Sequence, residues 1–233
     1  MRDTIKNEAY FKKSIDLTQK LIVSSRQDII NNLIKSENIS GVSRFIIQIE
    51  IAELISMYSA GYETSQLSYK LKAIIDSNYN HNTKFTVQYY YDFHVEYYWL
   101  FSLCFLLKID SNYFNKLLHS YDKYNVHDYI LDYIIHECDP KRVMSDNLFL
   151  PKPYLSLLEV IREKDEKLAV KKLNNFLNKK WYQGLKKCYW YNTEDNIHDV
   201  YFGYWCFEAA AIAKIKNLDK GLIESKYFPG DLI

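Results

Sequence analysis

The sequence predicts an all-α protein, an antiparallel helical bundle or stacked helical hairpins with little or no sheet. Three observations predict it. Apolar residues recur at three- and four-residue spacings along most of the chain, no stretch alternates strictly between turn signals, and only six Gly and four Pro are available among 233 residues. The first segment, Tyr10 to Ile34, is long and amphipathic, with Ser40 and Gly41 set to break it from the next helix. Ile47, Ile51, Leu54, Ile55 and Tyr58 then fall on one helical face that Gly61 can terminate. Leu67, Leu71, Ile74 and Ile75 repeat the rhythm. From Thr86 to Ile109 the chain is apolar or aromatic on nearly all sides, which marks a centrally buried helix. Asp110 or Ser111 can cap the following helix, and Asp139 with Pro140 stops the one that includes His127 to Glu137. Tyr154, Leu157, Leu158 and Ile161 follow Pro151 and Pro153, a start where proline costs no hydrogen bond. Ala169, Leu173, Phe176 and Leu177 continue the pattern, with Asp165 as N-cap. No repeat of fixed period is present, which disfavours a solenoid. A short polar stretch from Tyr121 to Asn125 divides the chain into helical halves, residues 1–122 and 123–233.

Composition bounds the function. Thirty basic against 29 acidic residues give a formal charge of +1, so no global field recruits nucleic acid or an anionic membrane. The polar start MRDTIKNEAYFKK has no secretory-signal pattern, and the apolar run Tyr97 to Leu107 is too short to span a bilayer, so a cytoplasmic location is expected. Cys104, Cys138, Cys188 and Cys206 are far apart and form no CxxC pair, which points to free, mostly buried thiols. The aromatic load of 22 Tyr, 12 Phe and 4 Trp belongs chiefly to a core.

The search for chemistry returns little. His136, Glu137 and Cys138 start like HExxH, but Pro140 stands where the second histidine belongs. Asp92 and Glu96 are one helical turn apart, a spacing common on ordinary helices. His81, His94, His119, His127, His136 and His198 show no pairing in sequence, and structural roles are expected of them. Phosphate-loop, dinucleotide and acyl-transfer motifs are absent. No catalytic residue, metal site or cofactor is therefore expected. Lys179 to Lys187, KKWYQGLKK, could stack bases on Trp181 and Tyr182, but the expected reading is a helix with its rings inward and its lysines solvated. Tyr201, Tyr204, Trp205, Glu208 and Ile212 are spaced as one helical face, which places a carboxylate inside an aromatic stripe. Tyrosine hydroxyls or an indole N–H would satisfy it, so Tyr204, Trp205 and Glu208 are expected to be structural.

The segment GYWCFEAAA from Gly203, with the closing YFPGDL, resembles the carboxy-terminal domain of PoNi-like immunity proteins. The amino-terminal RDxxKNExYF, Arg2 to Phe11, and MYSAGY, Met57 to Tyr62, resemble the amino-terminal domain of the same family. Gly230 departs from the pattern, which has a bulkier, often aromatic residue there. The resemblance implies an all-α, non-enzymatic protein that binds and neutralises a PoNe-type DNase toxin delivered by a bacterial secretion system, type VI among them. The near-neutral charge leads to an expectation of no nucleic-acid or membrane partner, and the oligomeric state is left open. The alternative is a helical hydrolase or metal-dependent enzyme using Glu208, His198 and Asp199.

A candidate toxin-binding face follows from charge. From Asp110 to Asp139 there are six acidic residues against Lys116 and Lys123, whereas from Lys152 to Lys187 ten basic residues face four acids. A nuclease presents positive charge to DNA, so an inhibitor covering its cleft gains from negative charge. Asp122, Asp128 and Asp132, with Tyr121, Tyr124 and Tyr129 as aromatic anchors, are the expected contacts.

Overall fold

The computed structural model describes residues 1–80, 90–124 and 126–233, and among these every regular element is a helix. His81, residues 86–89 of the apolar run and Asn125 lie outside the described residues. The chain forms two compact units, one of residues 1–90 with 192–203, the other of residues 91–191 with 204–233.

The first unit holds α1 (Glu8–Ile30), α2 (Ile39–Ala60) and α3 (Thr64–Asn80), with α2 packed against both others. Asn7 caps α1 by accepting from the Tyr10 N–H at 2.9 Å. Helix α1 ends at Ile30, and Asn32 takes the left-handed conformation at φ 56°. Ser40 and Gly41 do not break the chain as expected, because they lie in the first turn of α2, where glycine is tolerated. The face from Ile47 to Tyr58 is buried, and Gly61 ends the helix at φ 92°, as its position predicts. Leu67, Leu71, Ile74 and Ile75 of α3 are enclosed, each contributing about 2 kcal/mol of gross burial energy. Because α2 is covered on two sides, its Glu50 and Glu53 are buried and need partners. The Arg26 guanidinium meets Glu50 at 2.5 Å, and Glu53 takes Lys70 and the Gln19 amide. Burial still pushes the Glu50 carboxyl above the usual range, against the pull of Arg26 and Lys70.

The amino-terminal motif closes this unit on residues 192–203. The Arg2 guanidinium donates to the Tyr58 and Tyr62 carbonyls at 3.0 and 2.9 Å, where the end of α2 leaves acceptors open. Asp3 accepts the Ile5 and Lys6 N–H groups on one oxygen and the Tyr201 hydroxyl, at 2.6 Å, on the other. Tyr10 donates to the Tyr201 carbonyl and accepts the Tyr201 N–H, while the Ser59 hydroxyl donates to the Phe202 carbonyl at 2.8 Å. The strap bends through Asp199 and Gly203, at φ 52° and 113°.

The second unit comprises α4 (Tyr90–Leu106), α5 (Ser111–Asp122), α6 (Tyr129–His136), α7 (Pro151–Arg162), α8 (Glu166–Asn175), a π-helical segment (Phe176–Trp181), the single turn α9 (Tyr182–Gly184) and α10 (Phe207–Ile215). Helix α4 is buried from Phe93 through Cys104, the central position its composition predicts. Asp165 caps α8 by accepting from the Leu168 N–H. Asp110 occupies the N-cap of α5 without a side-chain cap bond. Tyr201, Tyr204 and Trp205 do not share a helical face with Glu208, since α10 begins only at Phe207 and residues 201–206 are non-helical. The aromatic residues serve the core as expected, with Trp181 stacked on Trp190 and Tyr182 on Tyr227 at 5.7 and 5.5 Å between ring centroids. No helix among the described residues is long and apolar enough to cross a membrane.

Candidate functional site

Helix α6 carries two acids that the charge pattern singles out, and both point inward. Asp128 and Asp132 are fully enclosed. Asp128 caps α6, its Oδ1 accepting the Ile130 and Leu131 N–H groups at 2.9 and 3.1 Å. Its Oδ2 accepts the Tyr98 hydroxyl at 2.9 Å and the Phe149 N–H at 2.8 Å, and His94 Nε2 stands 3.3 Å away. Burial pushes this carboxyl up, but His94 and the Leu131 and Phe149 N–H groups outweigh it and hold the group below the usual carboxylate range.

One turn on, Asp132 Oδ1 accepts from Arg142 Nε at 2.7 Å, and its Oδ2 from the Ser145 N–H at 3.0 Å. Arg142 also donates from Nη1 to Asp122 at the end of α5, at 2.7 Å, and lies over the Tyr121 ring. Thus two buried carboxylates on one face of α6 fix the loop between α6 and α7 at Arg142, Ser145 and Phe149. The Tyr129 N–H and the Asn147 carbonyl add a main-chain bond at 2.7 Å.

The fixed loop forms one wall of an open groove of about 840 Å³, and the end of α5 with Val126 and His127 forms the other. Leu118, Val126, Val143, Met144 and Phe149 give it apolar lining, and Asp122 and Asp139 stand in it beside Lys141 and Arg142. Val143 projects from the wall at 83% exposure. Asp122 is exposed, Tyr124 and Tyr129 are half-buried, and Tyr121 is buried against Tyr97 and Phe101. Of the six residues singled out, therefore, Asp122, Tyr124 and Tyr129 keep accessible surface, whereas Asp128, Asp132 and Tyr121 are enclosed and are not the surface contacts expected of them. Sequence reasoning missed Arg142, Val143 and Met144, although the arginine embedded in the polar 139–147 stretch was a signal that the acids had a partner.

The aromatic carboxylate is a second buried site. Tyr154 and the Trp181 indole both donate to Glu208 Oε1 at 2.8 Å, the donors its surroundings were expected to supply. Burial raises the Glu208 carboxyl above the usual range, opposed by these donors and the Cys206 thiol. Tyr204 and Trp205 are buried beside it in sequence. Of the enzyme alternative's residues, Glu208 is sealed from solvent, Asp199 pairs with Lys13 at 2.8 Å and His198 is exposed. Among the described residues, no three His, Cys, Asp or Glu side chains are grouped as a metal would require. The cysteines form no disulfide, and only Cys138 is exposed.

Residues 126–232, which contain α6, the groove loop and the Glu208 cluster, match the model of the family described as PoNe immunity proteins (PoNi), C-terminal. The chain is similar to the PoNi family over this segment, a little under half of its length. The crystal structure of protein PA2201 from Pseudomonas aeruginosa is similar at a TM-score of 0.70 and 16% identity, covering 96% of this chain and 86% of that one, a likeness of fold. No curated protein matches. Within the matched segment, a Cβ at Gly230 would lie 3.0 Å from the Phe228 ring, so the small residue there accommodates its aromatic neighbour.

Proposed function

We propose that this chain is an immunity protein of the PoNi kind, which neutralises a cognate DNase toxin of the PoNe type by stoichiometric binding, in the cytoplasm of a cell exposed to type VI or related secretion. The family match over residues 126–232 supports the immunity reading, and the groove beside α6 is the contact face assigned to it here. Asp122, with Asp139 and Glu137 nearby in the chain, supplies negative charge toward a nuclease's DNA-binding surface. Val143 and Met144, with Leu118, Val126 and Phe149, supply the apolar centre that binding interfaces need, and half-buried Tyr124 and Tyr129 are further aromatic anchors in this reading. Asp128, Asp132 and Tyr121 act from behind, because a loop already held in place loses less entropy on binding.

The test co-expresses the chain with the product of the neighbouring gene, which this reading expects to be the nuclease. Asp122→Lys should slow association, most strongly at low salt, and Val143→Asp should speed dissociation, with both variants remaining folded. Unchanged kinetics for both at all ionic strengths would move the interface away from the groove, and failure of the unaltered pair to co-purify would remove the immunity reading itself.

A further inference from the structure

On the second unit, a separate surface carries the opposite charge. From Lys167 to Lys187 there are seven lysines and no Asp or Glu. Lys167, Lys171, Lys179, Lys180, Lys186 and Lys187 are exposed, and of these seven lysines Lys172 alone is ion-paired to a described residue, Glu163 at 2.6 Å. The secondary structure sets many of these in one row. Lys167, Lys171 and Asn175 follow at i+4 steps along α8, and the π-helical segment, which closes i→i+5, brings Lys179 and Lys180 up over Asn175. That segment has a reason to be wide, since it seats Trp181 inside, where the indole donates to Glu208. The rings that could have stacked on bases are thereby occupied: Trp181 is buried and Tyr182 is stacked on Tyr191 and Tyr227. Lysine ammonium groups remain, interleaved with the exposed amides of Asn175, Asn178 and Gln183. Three exposed acids, Asp165, Glu166 and Glu224, adjoin the row. Asp165 is engaged in its cap, Glu166 accepts the Asp219 N–H, and Glu224 follows the main chain that Asn174 and Asn178 hold.

We infer that the lysine row on α8 and the π-helical segment is a binding surface for the phosphodiester backbone of nucleic acid, used without base readout and independent of the toxin-binding reading. Ammonium and amide donors in a row suit a line of phosphates, and the absence of free rings or a sharp apolar edge disfavours stacking or insertion into a lipid surface.

The experiment measures anisotropy of a labelled 20-base-pair duplex with the full chain between 20 and 200 mM NaCl, beside sedimentation with phosphatidylserine-containing vesicles. Binding should weaken with a slope of log K on log salt of about −4, as expected for four to five neutralised phosphates, and should not depend on sequence. The variant Lys167→Gln, Lys171→Gln, Lys179→Gln, Lys180→Gln should lose about tenfold or more in affinity at 50 mM NaCl while melting like the parent. No duplex binding at 20 mM NaCl, undiminished binding by the folded variant, or binding to vesicles but not to the duplex would each overturn the inference. Should the quadruple variant unfold, the pair Lys179→Gln and Lys180→Gln should still reduce the salt slope by about two.

Discussion

Replacing Asp128 tests whether a buried carboxylate organises the groove. Alanine would leave the Tyr98 hydroxyl and the Ile130, Leu131 and Phe149 N–H groups without their acceptor in a site closed to water. A lost N-cap costs about 1 kcal/mol and each buried donor left unpaired about 1–3 kcal/mol, so partial relaxation leaves a net loss of about 4 kcal/mol. For a unit of this size that lowers the melting temperature by about 12 °C. An asparagine in its place could still accept from α6, but the side-chain amide would face the Phe149 N–H, donor against donor, so Asp128→Asn should lose about half as much. The pH dependence has a definite sign. Because the folded carboxyl lies below the ordinary value, its stabilisation is complete above about pH 4 and is lost as the pH falls through the folded value. Thermal unfolding of wild type and Asp128→Asn from pH 3 to 7 should therefore show the gap closing on the acid side. A gap that persists unchanged to pH 3, or an asparagine variant that melts with the parent at pH 7, would refute the assignment.

Other substitutions probe the rest of the architecture. Glu208→Gln keeps the acceptor for Tyr154 and Trp181; since the folded carboxyl of Glu208 is raised, the parent loses stability as the pH climbs through and above the ordinary value, and the glutamine variant should gain on it between pH 4 and 8 in thermal scans. Toxin binding should survive this change, whereas Trp205→Ala should cost about 3–5 kcal/mol in a denaturant titration through the cavity it leaves. Gly61→Ala places a methyl 2.7 Å from the Met1 nitrogen at φ 92°, and should destabilise the first unit by about 2 kcal/mol or more, read by amide exchange in α2 and α3. Arg142→Gln should release the 139–149 loop, seen as faster proteolysis within it, because Asp122 and buried Asp132 then lose a shared cation.

The helical fold and much of its core were legible because they follow from local spacing. The rows at Ile47–Tyr58 and Leu67–Ile75, the left-handed stop at Gly61 and the cap at Asp165 all depend on residues within a few positions of one another. Asp128 and Asp132 show where that reading ends. As a charge count they suggest a negative surface, yet their partners, Tyr98, His94, Arg142 and the Phe149 N–H, come from other elements, and only the tertiary structure decides that these acids face inward. The same holds for Tyr201, whose periodicity suits a helix but whose backbone and hydroxyl are claimed by Tyr10 and Asp3, nearly the whole chain away. The π-helical segment is likewise invisible to a count of 3.6 residues per turn, which places Trp181 inside but not the lysines beside it.

The strap at residues 192–203 bears on how the protein is made. The first unit has its three helices once residue 80 has been synthesised, but the acceptors and rings that close it arrive only with Tyr201 and Phe202. At ordinary translation rates the ribosome takes on the order of ten seconds to travel that far. During that interval Asp3, Tyr10 and Ser59 have no native partner in the strap, so a nascent chain stalled before residue 192 should resemble a loosened bundle susceptible to chaperones and proteases. The amino-terminal motif is thus a late lock on an early unit, and the finished fold certifies that translation has passed Gly203.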